Sequence, residues 1–342
     1  MVATATAPMV ADTTDAVVDI RGLSKTYKLM MGKEIPAVVN LSLEIRRGET
    51  FAIVGPNGSG KTTTMKILLG LLFPDAPTEE QEGRVLVFGR QPGDPEAQTR
   101  IGYLPEAPYF YEYLDGRETL DYFGKLGGVP KDVLKPRIEE LLRMVDLQER
   151  GADLPVRVYS RGMRQRIGIA QAMINDPELL ILDEPTNGLD PIGTVQVRQF
   201  ILEQKKAGRT ILLCSHLLSE VEAVADRVAI LHRGNLIAVG PVSELVPESR
   251  QWQIVATSLS REAAGKLKDA GLTVETHGDV TTVKTDNLDA VYQAVALVSD
   301  LGGALVEVTR PQSTLEEQFL KAVGEETLRR TVDTLKKSAQ KK

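Results

Sequence analysis

One cysteine in 342 residues, Cys214, closes off two chemistries at the outset. An intramolecular disulfide and any metal site built from several cysteines are both excluded, which fits a reducing compartment and makes the cytoplasm the default expectation. Histidine is scarce too, with three, and the aromatics amount to one Trp, eight Tyr and seven Phe. Long apolar runs are missing. A membrane-spanning helix needs roughly 18 to 20 such residues, and the longest candidates here, such as ILLGLLF at 67–73, are of core size. Positive charge is not in excess: 41 Lys and Arg stand against 47 Asp and Glu, a net charge of −6, with a sequence pI near 5.4. Neutralising nucleic-acid phosphates needs a basic surface, so nucleic acid is not an expected partner. The first sixteen residues have neither the basic start nor the apolar centre of a signal peptide and are expected to form a disordered tail.

What is present is an ordinary globular composition, 42% apolar and 26% charged, long enough for one large domain and one small one. FAIVG precedes the helical pattern KTTTMKILLGLL, LLILD precedes another helix, and TILLCS precedes SEVEAVADRV. Continuous apolar strands alternating with helices imply a parallel sheet covered on both faces, an α/β fold. From about 107 to 177 helical patterns such as VLKPRIEELLRMVDL interrupt the alternation and suggest an inserted helical subdomain. PVSELVPESR at 241–250 reads as a boundary. Beyond it the order of elements is βαββαβ, a ferredoxin-like α+β pattern, closed by a segment with Ser313 and Glu316 in capping-box spacing. The expected divisions are a tail at 1–16, a main domain at 17–245, an accessory domain at 246–325 and a C-terminal helix with a basic tail at 326–342.

GPNGSGKT, residues 55–62, satisfies the P-loop pattern GxxxxGK[ST] after a strand and before a helix. Gly55, Pro56, Asn57, Gly58, Ser59 and Gly60 would curl backbone amides around phosphate oxygens, and the helix start adds its positive end. Lys61 supplies a point charge, Thr62 a hydroxyl for Mg²⁺, and Thr63 lies in the same first turn. In LLILDEPT, Asp183 and Glu184 fall at the carboxyl end of a buried strand, the edge at which open α/β sheets bind ligands. Asp183 is suited to Mg²⁺ and Glu184 to polarising a water. His216 follows TILLCS at the same edge.

The order of these motifs resembles the ATP-binding cassette ATPases over about residues 17–240: a P-loop, YSRGMRQR at 159–166, LLILDEPT, NGLD at 187–190, and Ser215-His216. The fold implied is a P-loop cassette with an inserted helical subdomain. GLSKTYK matches the family's aromatic loop, with Tyr27 stacking on adenine, and GYLPE at 102–106 places Glu106 where the family usually carries glutamine. The resemblance implies ATP and Mg²⁺ as ligands. Asp183, Thr62 and Glu106 would then stand near the metal, Glu184 would be the general base, His216 would contact the γ-phosphate, and Asp190 would lie at a dimer interface. Ser160 and Gly162, at the start of the signature helix, would cap the ATP of a second cassette. Arg161 and Met163 replace the glycine and glutamine of the common LSGGQ motif, as in cassettes of ABC-2-type exporters.

The work done follows less directly. The leading expectation is the energising subunit of an exporter, a homodimer or paired cassette bound to separate permease subunits at the cytoplasmic face of the cell membrane. APYFYEYL after Glu106, with Tyr109, Phe110, Tyr111 and Tyr113, is either a socket for the membrane partner or subdomain core. The alternative is a soluble ABC-type ATPase of DNA repair, chromosome organisation or translation. Against it stand the missing heptad segments, the single cassette and the acidic pI. YSRGMRQR itself reads as a helix capped by Ser160, with Met163, Ile167, Ala170 and Ile174 on one stripe and the arginines turned away from the core.

Overall fold

The computed structural model describes residues 15–28, 32–78, 82–148, 151–246, 252–310, 314–321 and 323–324. They form two compact units, one running to Val242 and taking in the described residues from Phe319, the other spanning Ser243–Gln318. Residues 1–14 of the expected tail and all of 326–342 fall outside the described residues, and a strand already begins at Ala16.

The first unit opens with two long strands, β1 (Ala16–Lys28) and β2 (Glu34–Arg46), followed by β3 (Thr50–Val54), α1 (Lys61–Leu68) and β4 (Arg84–Val87). Next come α2 (Pro95–Gln98), β5 (Ile101–Leu104), α3 (Gly116–Leu126), α4 (Lys131–Met144) and α5 (Arg161–Ala172). The remainder is β6 (Leu179–Asp183), α6 (Pro191–Lys206), β7 (Thr210–Ser215), α7 (Leu218–Val224), β8 (Arg227–His232) and β9 (Asn235–Pro241), and the boundary between the units falls within the short α8 (Val242–Leu245). Two sheets result. A six-stranded sheet has the order β5-β6-β7-β3-β8-β9, parallel except for β9, and an antiparallel three-stranded sheet has the order β2-β1-β4.

Every residue of β3, β6 and β7 is buried, which is why these strands read as unbroken apolar runs rather than as alternations. Side chains of both sheets meet in one core, where Ile20, Leu41 and Ile45 join Phe51, Ile53 and Leu212. Met65, Ile67 and Leu68 of α1 enter the same cluster, fully buried. Each such side chain contributes about 1.5–3 kcal/mol on burial. The helix that follows the P-loop is therefore anchored, and the loop inherits that rigidity.

GLSKTYK departs from its expected form. It lies within β1 rather than in a loop, because the pairing of β1 with β2 shifts register between Ile20 and Leu23 and again as far as Thr26. Such bulges interrupt the alternation that marks a strand in sequence. SEVEAVADRV is likewise divided: α7 stops at Val224 and Arg227 already pairs in β8.

The second unit contains β10 (Trp252–Thr257), α9 (Arg261–Asp269), β11 (Thr273–His277), β12 (Val280–Thr285), α10 (Leu288–Asp300) and β13 (Ala304–Thr309). The four strands pair antiparallel in the order β11-β12-β10-β13, the ferredoxin-like arrangement, over a core containing Ile254, Leu267, Val283 and Ala294. Ser313, proposed as a cap, lies outside the described residues. A reciprocal capping pair stands one residue further on, where the Glu317 amide donates to Thr314 Oγ1 at 3.2 Å and the Thr314 amide to Glu317 Oε2 at 3.4 Å.

Candidate functional site

Strand order makes the site. β7 lies between β6 and β3, with Asp183 level with Cys214 and Ser215 level with Val54. The segments leaving these three strands, residues 55–60, 184 onward and 216 onward, therefore emerge at one carboxyl edge. They border a cleft of about 160 Å³ lined by residues 57–63 with Glu106, Glu184, Asn187 and His216.

Two glycines of the P-loop are required by close approach. A Cβ on Gly55 would fall 2.2 Å from the Leu231 carbonyl oxygen, and one on Gly60, which caps α1 at φ +107°, would fall 2.4 Å from that of Ala37. Lys61, the first residue of α1, is buried and donates through Nζ to the carbonyls of Gly55 at 2.7 Å and Pro56 at 3.4 Å. Its Nζ also stands 3.6 Å from Glu184 Oε1. The other Glu184 oxygen, Oε2, is 2.7 Å from His216 Nδ1 and accepts the His216 amide at 3.3 Å. Glu184 is itself held at φ +48°, a left-handed conformation unusual for a non-glycine residue, with its amide donating to the Cys214 carbonyl at 2.9 Å. Strain of this kind is concentrated at functional positions.

Asp183 is buried, and its Oδ1 has no hydrogen-bond partner among the described residues. Burial, then the neighbouring Glu184 and Glu106 carboxylates, push its pKa up to about 6, against the Thr62 hydroxyl hydrogen bond and the Lys61 charge, which lower it. An orphaned, buried carboxylate oxygen beside the Thr62 hydroxyl suits a hard cation. Among the described residues no three His, Cys, Asp or Glu side chains gather into a metal cage. Glu106 reaches the cleft as well, with Oε1 accepting from Asn187 Nδ2 at 2.7 Å. Tyr27, from the end of β1, is partly exposed and has its hydroxyl 3.4 Å from Thr63 Oγ1.

Ser160 and Gly162 are not in this cleft. They line a separate groove of about 740 Å³ with Gly188, Leu189 and Asp190. Ser160 Oγ caps α5, accepting the Met163 amide at 3.2 Å, and Asp190 Oδ1 caps α6, accepting the Gly193 amide at 2.7 Å. The surroundings of Gly162 are open, the nearest side-chain atom to an added Cβ being Leu189 Cδ2 at 3.9 Å. Arg166 of the same helix stands 3.5 Å from Asp146 and donates to Gln196 Oε1 at 2.5 Å.

Three contacts were missed in the sequence. Gln165, buried on α5, donates from Nε2 to the Pro185 carbonyl at 2.8 Å, Thr186 bonds Glu220 of α7, and Asn187 bonds Glu106. The only available signal was polar side chains beside the motifs, whose partners lie up to 81 residues away.

A glycine-bounded loop opening a helix, with a histidine at the end of the neighbouring strand β7 and carboxylates at the end of the next strand, β6, defines a P-loop nucleoside triphosphatase. Residues 38–187 match the model of the ABC transporter family. An ABC transporter ATP-binding protein of Nostoc sp. (strain PCC 7120) is 40% identical over 314 residues, covering 91% of this chain and 90% of that protein. The bacitracin transport ATP-binding protein BcrA of Bacillus licheniformis is 36% identical, covering 85% of this chain and 94% of its own. Among solved structures, a dimeric post-hydrolysis ATP-binding cassette bound to ADP and Pi is 26% identical with a TM-score of 0.58, covering 66% of this chain and 98% of that one. The chain belongs to the family of ABC transporter ATP-binding proteins. No helix among the described residues is long and apolar enough to cross a membrane.

Proposed function

We propose that this chain is the ATP-hydrolysing subunit of an ABC-2-type exporter, working as a dimer of cassettes on separate permease subunits at the cytoplasmic face of the membrane. The observation that carries the reading is Glu184, whose two oxygens face Lys61 and His216 at the mouth of the P-loop cleft. In that position Glu184 accepts a proton from a water attacking the terminal phosphate. His216 orients the carboxylate through Nδ1, which leaves Nε2 for a phosphate oxygen. The amides of residues 57–62 and the Lys61 ammonium take the phosphates at the start of α1, and Tyr27 offers its ring to the base. Thr62, Asp183 and Glu106 are the residues that would hold Mg²⁺, which supplies charge neutralisation on the phosphates when bound.

The relative named for bacitracin transport supports a role in transport, and the surface of the helical region supports a docked partner. Phe110 is buried and packs edge-on against Phe123, whereas Tyr109 and Tyr113 are 85% and 74% exposed. Tyr111 links Tyr113 and Tyr122 with ring centroids 5.9 and 5.3 Å apart. The aromatic stretch is thus divided between core and surface, and its exposed tyrosines suit a helix of a membrane partner, with an apolar body and a polar tip on each ring. The enzymatic part is tested by ATP turnover: Glu184→Gln keeps ATP binding and loses at least roughly a hundredfold in kcat. Near-normal turnover in that variant would remove Glu184 from its role.

A further inference from the structure

The helix end that begins at Ser160 and the cleft that contains Glu184 are separate sites in one chain, yet the same short segment, 185–190, joins them. α5 grips that segment twice. One turn into the helix, Gln165 holds the Pro185 carbonyl at 2.8 Å. At the first helical residue, the Arg161 guanidinium occupies the space beside Gly188 that a side chain would fill: a Cβ there would fall 2.1 Å from Arg161 Cζ, 2.2 Å from Nη1 and 2.6 Å from Nε. Gly188 has φ +69°, so the residue that leaves room for the guanidinium is also the one that turns the chain. Of the other two arginines at this helix start, Arg164 donates to the Arg157 carbonyl at 3.5 Å and Arg166 is held by Asp146 and Gln196.

We infer that Arg161 is a positioning residue that braces Gly188, fixing the 185–190 segment to the amino end of α5. A planar, weakly hydrated guanidinium packs into such a space more readily than a compact, strongly hydrated ammonium. The consequence is mechanical. Displacement of the segment at its upstream end, where Asn187 bonds Glu106 and Thr186 bonds Glu220, carries the Ser160–Gly162 helix end with it. Within the proposed ATPase reading, on which this role rests, the brace links the state of a chain's own cleft to the helix end it offers to a second subunit.

Two amides report on the brace directly: Asn187 donates to the Glu184 carbonyl at 3.0 Å and Leu189 to the Thr186 carbonyl at 3.1 Å. Hydrogen exchange at these amides, in the full chain without nucleotide, is compared among wild type, Arg161→Ala and Arg161→Lys, alongside kcat and KM for ATP. The expected result is exchange faster by roughly tenfold in Arg161→Ala, with kcat down by about tenfold and KM within about twofold. Arg161→Lys recovers only part of either, because the planar group is missing. Unchanged exchange and kcat in Arg161→Ala would overturn the brace in favour of a solvent-facing side chain. A raised KM restored by Arg161→Lys would overturn it in favour of a charge on the nucleotide. A wild-type chain without ATPase activity would instead refute the enzymatic reading, and the exchange comparison would still decide the brace.

Discussion

Asp183 shows how a single side chain can be costly to the fold and suited to the site. The residue is 2% exposed, and its pKa is pushed up from an ordinary 3.8 to about 6, by burial first and then by Glu184 and Glu106. A folded-state pKa above the unfolded value means that the proton-linked stability is full below pH 3.8 and is lost as pH rises through about 6. The charged form therefore burdens the nucleotide-free protein at pH 8. Asp183→Asn removes the burden: its unfolding free energy from urea titration should rise at pH 8 by an amount on the order of 3 kcal/mol, and the gain should shrink as the pH falls from 6 towards 4. A gain independent of pH would show that charge burial is not its cause. Asp183 and Glu184 were legible in the sequence because a buried strand ends there. The use of Arg161 was not, since a charged residue at a helix start looks the same whether it meets solvent or a backbone turn across a groove.

Among the elements, β5 and α5 meet more closely than any side chain permits. A Cβ on Gly102 of β5 would fall 2.1 Å from the Ala172 carbonyl oxygen at the end of α5 and 2.7 Å from Pro177 Cγ. The first of these is backbone and cannot rotate away. Gly102→Ala should destabilise the first unit by roughly 1–3 kcal/mol, read from urea unfolding, and should displace α5 relative to β5. A stability within about 0.5 kcal/mol of wild type would contradict so close a contact. The parallel strands were legible because burial on both faces leaves a continuous apolar run. The β2-β1-β4 sheet was not, because the bulges in β1 break its alternation and β4 has only four residues. Nor could the aromatic stretch be apportioned, since only α3 and its packing decide that Phe110 turns inward while Tyr109 and Tyr113 face out.

For the whole molecule, the two phosphate-suited helix ends, at Gly60 and at Ser160, border different cavities of the same chain. Under the proposed dimer neither is redundant, because two chains meeting head to tail would set each P-loop against the α5 end of the other. The ordered motifs placed the chain in its family and made this arrangement the expectation. The second unit was legible as a βαββαβ order because its short strands alternate and its helices carry caps at Ser260 and Asn287. The measurement that bears most directly on the dimer is the molar mass of the Glu184→Gln chain by light scattering, with and without saturating ATP. The expected result is a monomer without nucleotide and a dimer with ATP, abolished by adding Lys61→Ala. A Glu184→Gln chain that binds ATP and remains monomeric at saturation would contradict the shared-nucleotide dimer.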